Sequence, residues 1–376
     1  MELSKKIAFA KEANTLIASH ISGTWPGFTP VSFILYDDKN QVAVGNNWPK
    51  QYSQVEEDIW AAQGLDHDLF ANTVTTYHGI TAAIWDTRTW PVNPNISEVA
   101  SSITHEMFHA FQRIFTSPGA NEALMPQYPH TIRSVALVIE ENKWLQEIVK
   151  NPDYGSVRNC LEKIFALRSQ REAEVGTDFI SYDKGCESYE GTAVYVEVRM
   201  KSLIEGVTPF ETAASHLPTL MNSSELLKHY RRRCYPAGLI LCLASDIMWP
   251  NWQAEWQASG KTIYDWMKEK PEFAALETTI SPASLEYAEE LLAAYKAEKE
   301  QKINEFLAQP LTTIEGDVKL AMFDPMNIVC YNDRCLHKHG SLVINGEKQA
   351  MTTPFLIEFG GNIFDVKRVY IPAIAD

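Results

Sequence analysis

The hydrophobic pattern of the first 22 residues has helical spacing. Ile7, Ala10, Ala13, Ile17 and Ile21 recur among polar neighbours, which predicts an amphipathic surface helix. Trp25-Pro26-Gly27 then marks a turn. Residues 31–36 and 41–45 are strand-like runs joined by Asp37-Asp38-Lys39-Asn40, which predicts a hairpin. The mixed stretch 46–70 predicts only a short helix around residues 55–62, and residues 80–86 predict a further strand. This first part of the chain therefore predicts a small mixed sheet.

From residue 94 the period changes to that of a helix. Asn95 is placed to cap it, and Glu98 completes a capping-box pattern. Ile103, Met107, Ala110, Phe111 and Ile114 form one apolar stripe, and Ser117-Pro118-Gly119 signals the stop. Helices follow over 131–149 and 155–174. Residues 187–204 fit a helix through Tyr189, Ala193, Val196, Met200, Leu203 and Ile204. Thr192, Val194, Val196 and Val198 also alternate as in a strand, but the 3–4 spacing continues through Ile204, and helix is the preferred reading. Residues 209–308 read as mostly helical, over 209–216, 223–247, 262–269 and 282–307. Trp249, Trp252, Trp256 and Trp266 are expected to pack in the core rather than line a groove. The charged end of the last helix, AEKEQKINE, suits a solvated face or a bridge between domains. From Leu311 the runs become short and strand-like, at 318–323, 327–331, 341–344, 354–359 and 366–371, separated by turns such as Asn345-Gly346. The predicted fold class is α+β. It divides into a mixed N-terminal part (1–94), a helical part (95–310) and a β-rich C-terminal module (311–376).

Composition narrows the partners. The 376 residues carry a net charge of −15, which argues against nucleic acid and anionic membrane surfaces, since both reward an excess of lysine and arginine. The most apolar run, residues 237–248, is too short to span a bilayer, and no secretory signal is visible. A cytoplasmic location is the expectation. None of the six cysteines forms a C-x-x-C pair, so buried free thiols are the default. Only Cys330 and Cys335 are close enough in sequence to suggest a local pair.

The chemistry concentrates in His105-Glu106-Met107-Phe108-His109, an H-E-x-x-H stretch inside the capped helix. Residues four apart share a helix face, so His105 and His109 can present two imidazoles to one zinc ion. A catalytic zinc needs a third protein ligand and an open position for water. Glu190, in Tyr189-Glu-Gly-Thr-Ala-Val-Tyr195, is the best third ligand; Gly191 beside it would permit close helix packing. Glu187 lies one turn earlier and is the runner-up. Glu197 is near the same face but two turns from Glu190, too far to share the ion. His337-Lys338-His339 reads as exposed surface, and no Ser/His/Asp, Cys/His or phosphate-loop motif is present.

Residues 103–111 followed by 189–195 resemble the gluzincin metallopeptidases, at the level of the superfamily and over roughly residues 30–205. The resemblance implies a zincin-like catalytic unit with zinc on His105, His109 and Glu190 and with Glu106 as general base. It implies a peptide or protein substrate lying along a sheet edge formed by residues 80–86. A separate donor should stabilise the developing oxyanion. Tyr195 and Tyr189, near the third ligand, are the candidates, although core packing is the preferred reading of each. The chain departs from the superfamily pattern at Val194, where many gluzincins carry an acid that orients a ligand histidine, and it lacks the G-x-M-E-N sequence of M1-type aminopeptidases. The other readings are a zincin-fold module that binds metal or peptide without catalysis, which Val194 favours, and a zinc hydrolase of small amides.

Overall fold

The computed structural model describes residues 1–45, 48–66, 68–115, 120–220, 225–273, 278–325 and 327–373. Helix α1 (Leu3–His20) buries Ala10, Ala13 and Ile17 along the stripe that its spacing predicts. The hairpin β1 (Ser32–Tyr36) and β2 (Asn40–Val44) follows as expected. Residues 55–62 are not helical. They belong to β3 (Ser53–Glu56) and β4 (Ile59–Gln63), which join through Asp58 in a left-handed conformation and extend the sheet from β2. Pairing with an already buried strand overrides a locally ambiguous pattern. Two more strands complete the sheet, β5 (Thr73–Tyr77) and β6 (Ile80–Asp86), giving the order β3-β4-β2-β1-β6-β5. Only the β1–β6 pair is parallel. His78 and Gly79 both have positive φ between β5 and β6, the backbone of a two-residue hairpin turn. That hairpin places β5 at the edge, so residues 80–86 form an interior strand and not the edge that the family resemblance implies.

The helical body begins with α2 (Ile96–Gln112), α3 (Ile132–Lys150), α4 (Tyr154–Val175) and α5 (Thr177–Glu205). The short helices α6 (Pro209–Ala213) and α7 (Glu225–Lys228) lead into α8 (Tyr230–Met248), followed by α9 (Trp252–Ser259), α10 (Ile263–Lys268) and α11 (Pro282–Leu307). Asn95 caps α2 by accepting from the Ser97 amide, but Glu98 does not close the capping box; its carboxylate accepts from Lys201 on α5. The turn expected at Ser117-Pro118-Gly119 lies outside the described residues. Residues 187–204 are helical throughout, within α5. Thr192, Val194, Val196 and Val198 are all buried because neighbouring helices pack around α5, and this produces the strand-like alternation. Trp252, Trp256 and Trp266 pack in the core with Trp25 and Trp249.

A fully buried ion cluster ties four helices together. Glu141 (α3), Arg168 and Arg171 (α4), Asp183 and Glu187 (α5) and Arg233 (α8) pair with one another, three carboxylates against three guanidinium groups. Each charge is compensated by a partner, which is the condition for burying it.

The chain turns to strands between Leu307 and Leu311. Strands β7 (Leu311–Glu315), β8 (Val318–Phe323), β9 (Ile328–Tyr331), β10 (Arg334–His337), β11 (Gly340–Ile344), β12 (Glu347–Met351), β13 (Phe355–Phe359) and β14 (Val366–Pro372) form two antiparallel sheets, in the orders β7-β14-β13-β10-β9 and β12-β11-β8. Their core includes Val318, Leu320, Leu342, Phe355, Ile357 and Val369. Phe306 and Ile303 of α11 pack on Leu356 and join this module to the body. Two expectations are corrected here. Cys330 and Cys335 face each other across β9 and β10 and form a disulfide, while Cys160, Cys186, Cys234 and Cys242 are free and buried. His337 is buried against Phe355 rather than exposed, whereas His339 is exposed and lies near Asp324. Among the described residues no helix is long and apolar enough to cross a membrane.

Candidate metal centre

Two helices build the site. Helix α2 presents His105, Glu106 and His109; helix α5, packed beside it, presents Glu190. One carboxylate oxygen of Glu190, Oε2, lies 3.7 Å from His105 Nε2 and 3.5 Å from His109 Nε2. All three potential donor atoms fall within 4.8 Å of one another. A tetrahedral ion with bonds of about 2.0–2.1 Å sets its donors roughly 3.3 Å apart, so the cluster needs only small adjustments to hold one. The three residues are buried, and this donor set of two imidazoles and a carboxylate can bind a metal ion.

The histidines are held from behind. His105 Nδ1 lies 3.1 Å from Glu197 Oε2, and His109 Nδ1 lies 2.7 Å from Gln112 Oε1. With the proton on Nδ1 in each ring, both Nε2 lone pairs are left for a metal. Gln112 is itself fixed, because its amide donates to the Tyr189 carbonyl and to Thr192 Oγ1, 2.7 Å each. Tyr189 stacks on the His109 ring at 4.4 Å between centroids, the packing role open to it from sequence. Glu190 is fixed in turn by Arg231 of α8, whose Nη2 donates to Oε1 at 2.9 Å while its Nε donates to Glu122. This leaves Oε2 for the histidines.

Electrostatics follow from this crowding. Burial opposes charge on His105, yet the carboxylates of Glu190 and Glu197 more than offset it and raise its pKa well above the usual value. Burial likewise opposes the Glu190 carboxylate, but His105, His109 and Arg231 hold its pKa well below the ordinary range. Glu106 behaves differently: burial raises its pKa, and among the described residues its carboxylate makes no hydrogen bond.

The structure separates the remaining candidates. Glu187, the runner-up ligand, is fully buried in the ion cluster against Arg168 and does not join the histidines. Tyr195 is five residues beyond Glu190, about 140° around the helix. It is fully buried, packs against Trp25 and Trp252, and donates its hydroxyl to Asp246 at 2.9 Å. It therefore belongs to the core, on a face turned away from Glu190, and is not placed for an oxyanion role. Glu197 is seven residues beyond Glu190 and returns to nearly the same face, which is how it reaches His105. It supplies the orienting acid that position 194 lacks. Gln112 was legible as an i, i+3 neighbour of His109. Arg231 and Glu122 carry no local signal, since only the packing of α8 on α5 brings Arg231 to Glu190. No protein-family model, no curated protein and no solved structure matches this chain.

Proposed function

We propose that this protein is a zinc-dependent metallopeptidase that hydrolyses peptide bonds. One observation carries the reading: the Nε2 atoms of His105 and His109 converge on Glu190 while each Nδ1 is held by its own acceptor, with Glu106 adjacent on the same helix. Two imidazoles and one carboxylate suit zinc and leave a coordination position open. When bound, zinc lowers the pKa of a coordinated water and polarises the scissile carbonyl. Glu106 would accept a proton from the attacking water and pass it to the leaving amine. A buried carboxylate with a raised pKa is suited to both transfers. Glu197 and Gln112 keep the imidazoles oriented, and Arg231 keeps Glu190 from rotating. Strand β5 is the edge beside α2, so an extended peptide would pair there. The Arg231 guanidinium, which also contacts the Tyr235 hydroxyl, is the polar donor next to Glu190 and replaces Tyr195 as candidate stabiliser of the developing oxyanion.

The test is Glu106→Gln. It should keep stoichiometric zinc, read by elemental analysis, and lose at least about a hundredfold in cleavage of a peptide library. Full retained cleavage would refute Glu106 as base. A zinc-loaded parent chain that cleaves no peptide would refute the peptidase reading.

A further inference from the structure

A cavity of about 440 Å³ lies between the helical body and the C-terminal module. Its walls come from the loop before α3, the start of α8, α11, and β9, the edge strand of its sheet. It is distinct from the metal centre: Tyr230 of α8 faces the cavity, whereas the next residue, Arg231, turns to Glu190.

The lining has an unusual charge for so acidic a chain. Four lysines border it against two glutamates. Glu298 binds Lys228 and Lys302, at 2.6 and 2.8 Å, and Glu225 binds Lys228 and lies near His229. Lys299 and Lys338 remain, and among the described residues neither has a carboxylate within ion-pair distance. Lys299 is half-buried, with its ammonium 4.2 Å from the centroid of the Tyr295 ring. Burial alone lowers its pKa to about 8, so no neighbouring anion compensates its charge. Apolar contact surface is also provided. Tyr128, Tyr230 and Tyr295 line the cavity, and His130 packs between them, held neutral by burial.

We propose that this cavity binds a small anionic ligand with a flat apolar body, its acidic group taken by Lys299 and Lys338 and its body lying against the tyrosines. The volume suits one small molecule, and the combination of aromatic walls with a few polar groups at the lining is that of a ligand site. An anion would restore to Lys299 the compensation that its burial removes.

The metal-free full chain tests this with 8-anilinonaphthalene-1-sulfonate as the probe. N-phenyl-1-naphthylamine, which has the same rings without the sulfonate, is the control. Fluorescence titration should show one saturable sulfonate site, at least about tenfold tighter than the control, the weight of one charge-assisted contact. Lys299→Met should weaken the sulfonate about tenfold and leave the control unchanged. Lys338→Met, at an exposed position, should act in the same direction and serves if the first variant does not fold. Equal affinity for the two probes, no saturable site, or sulfonate binding unchanged in the folded variants would each overturn the proposal.

Discussion

Glu187 and Glu190 are one turn apart on α5 and have opposite tasks. Glu187 is fully buried among arginines, and Glu190 faces the histidines. Substitution should separate the two roles. Glu187→Gln breaks a buried pair and should cost about 3–5 kcal/mol of unfolding free energy, measured by urea denaturation, with the zinc stoichiometry of the folded protein unchanged. Glu190→Gln should abolish zinc binding. The reverse pattern would exchange the ligand assignment. That Glu190 is the carboxylate facing the two histidines was readable from residues 189–195 and the resemblance they carry. Glu197 was placed on the correct face, but its role was not legible, because whether a carboxylate two turns away reaches a histidine depends on how α2 crosses α5.

At the scale of elements, the contact between α5 and α8 carries the site. A Cβ on Gly191 would lie 2.4 Å from Gly238 Cα, and one on Gly238 would lie 2.1 Å from the Glu187 carbonyl oxygen. Backbone opposes backbone here, and no side chain can move aside to relieve it. This close approach is what delivers Arg231 to Glu190. Gly191→Ala should therefore destabilise the protein by about 3 kcal/mol or more, seen as a lowered denaturation midpoint, and should weaken zinc binding in the same sample. The glycine was expected from sequence to permit close packing; its partner, Gly238, was not. The same scale explains the misread stretch at 55–62. Its residues lack a decisive period, and pairing of β4 with β2 settles them as strands.

At the scale of the whole molecule, acid should act on the C-terminal module. Burial holds the His337 pKa at about 4, below the ordinary 6.5, with exposed His339 a lesser contributor. The folded chain keeps this ring neutral while the unfolded chain takes up a proton. The stability it contributes is thus complete above pH 6.5 and is lost as pH falls towards 4. His130, lowered to about 3, acts in the same direction. His337→Phe should flatten the decline in melting temperature between pH 6.5 and 4, measured by calorimetry. An unchanged decline would place the acid sensitivity elsewhere. His337 alternates with His339 on the sequence, and the face that β10 turns inward is chosen by its pairing with β9 and β13.

Sequence alone determined what local periodicity and residue chemistry encode: the helix bearing His105 and His109, the β-rich end of the chain, and Glu190 as the complementary carboxylate. These are short-range properties, because helical spacing and ligand type are carried within one or two turns. Tertiary structure decided what depends on contact between distant segments. It chose β5 over β6 as the sheet edge, removed Tyr195 to the core, and assigned Glu197 and Arg231 to hold the donor set. Those choices follow from which faces remain buried once the helices and sheets pack, and no window of the sequence contains that information.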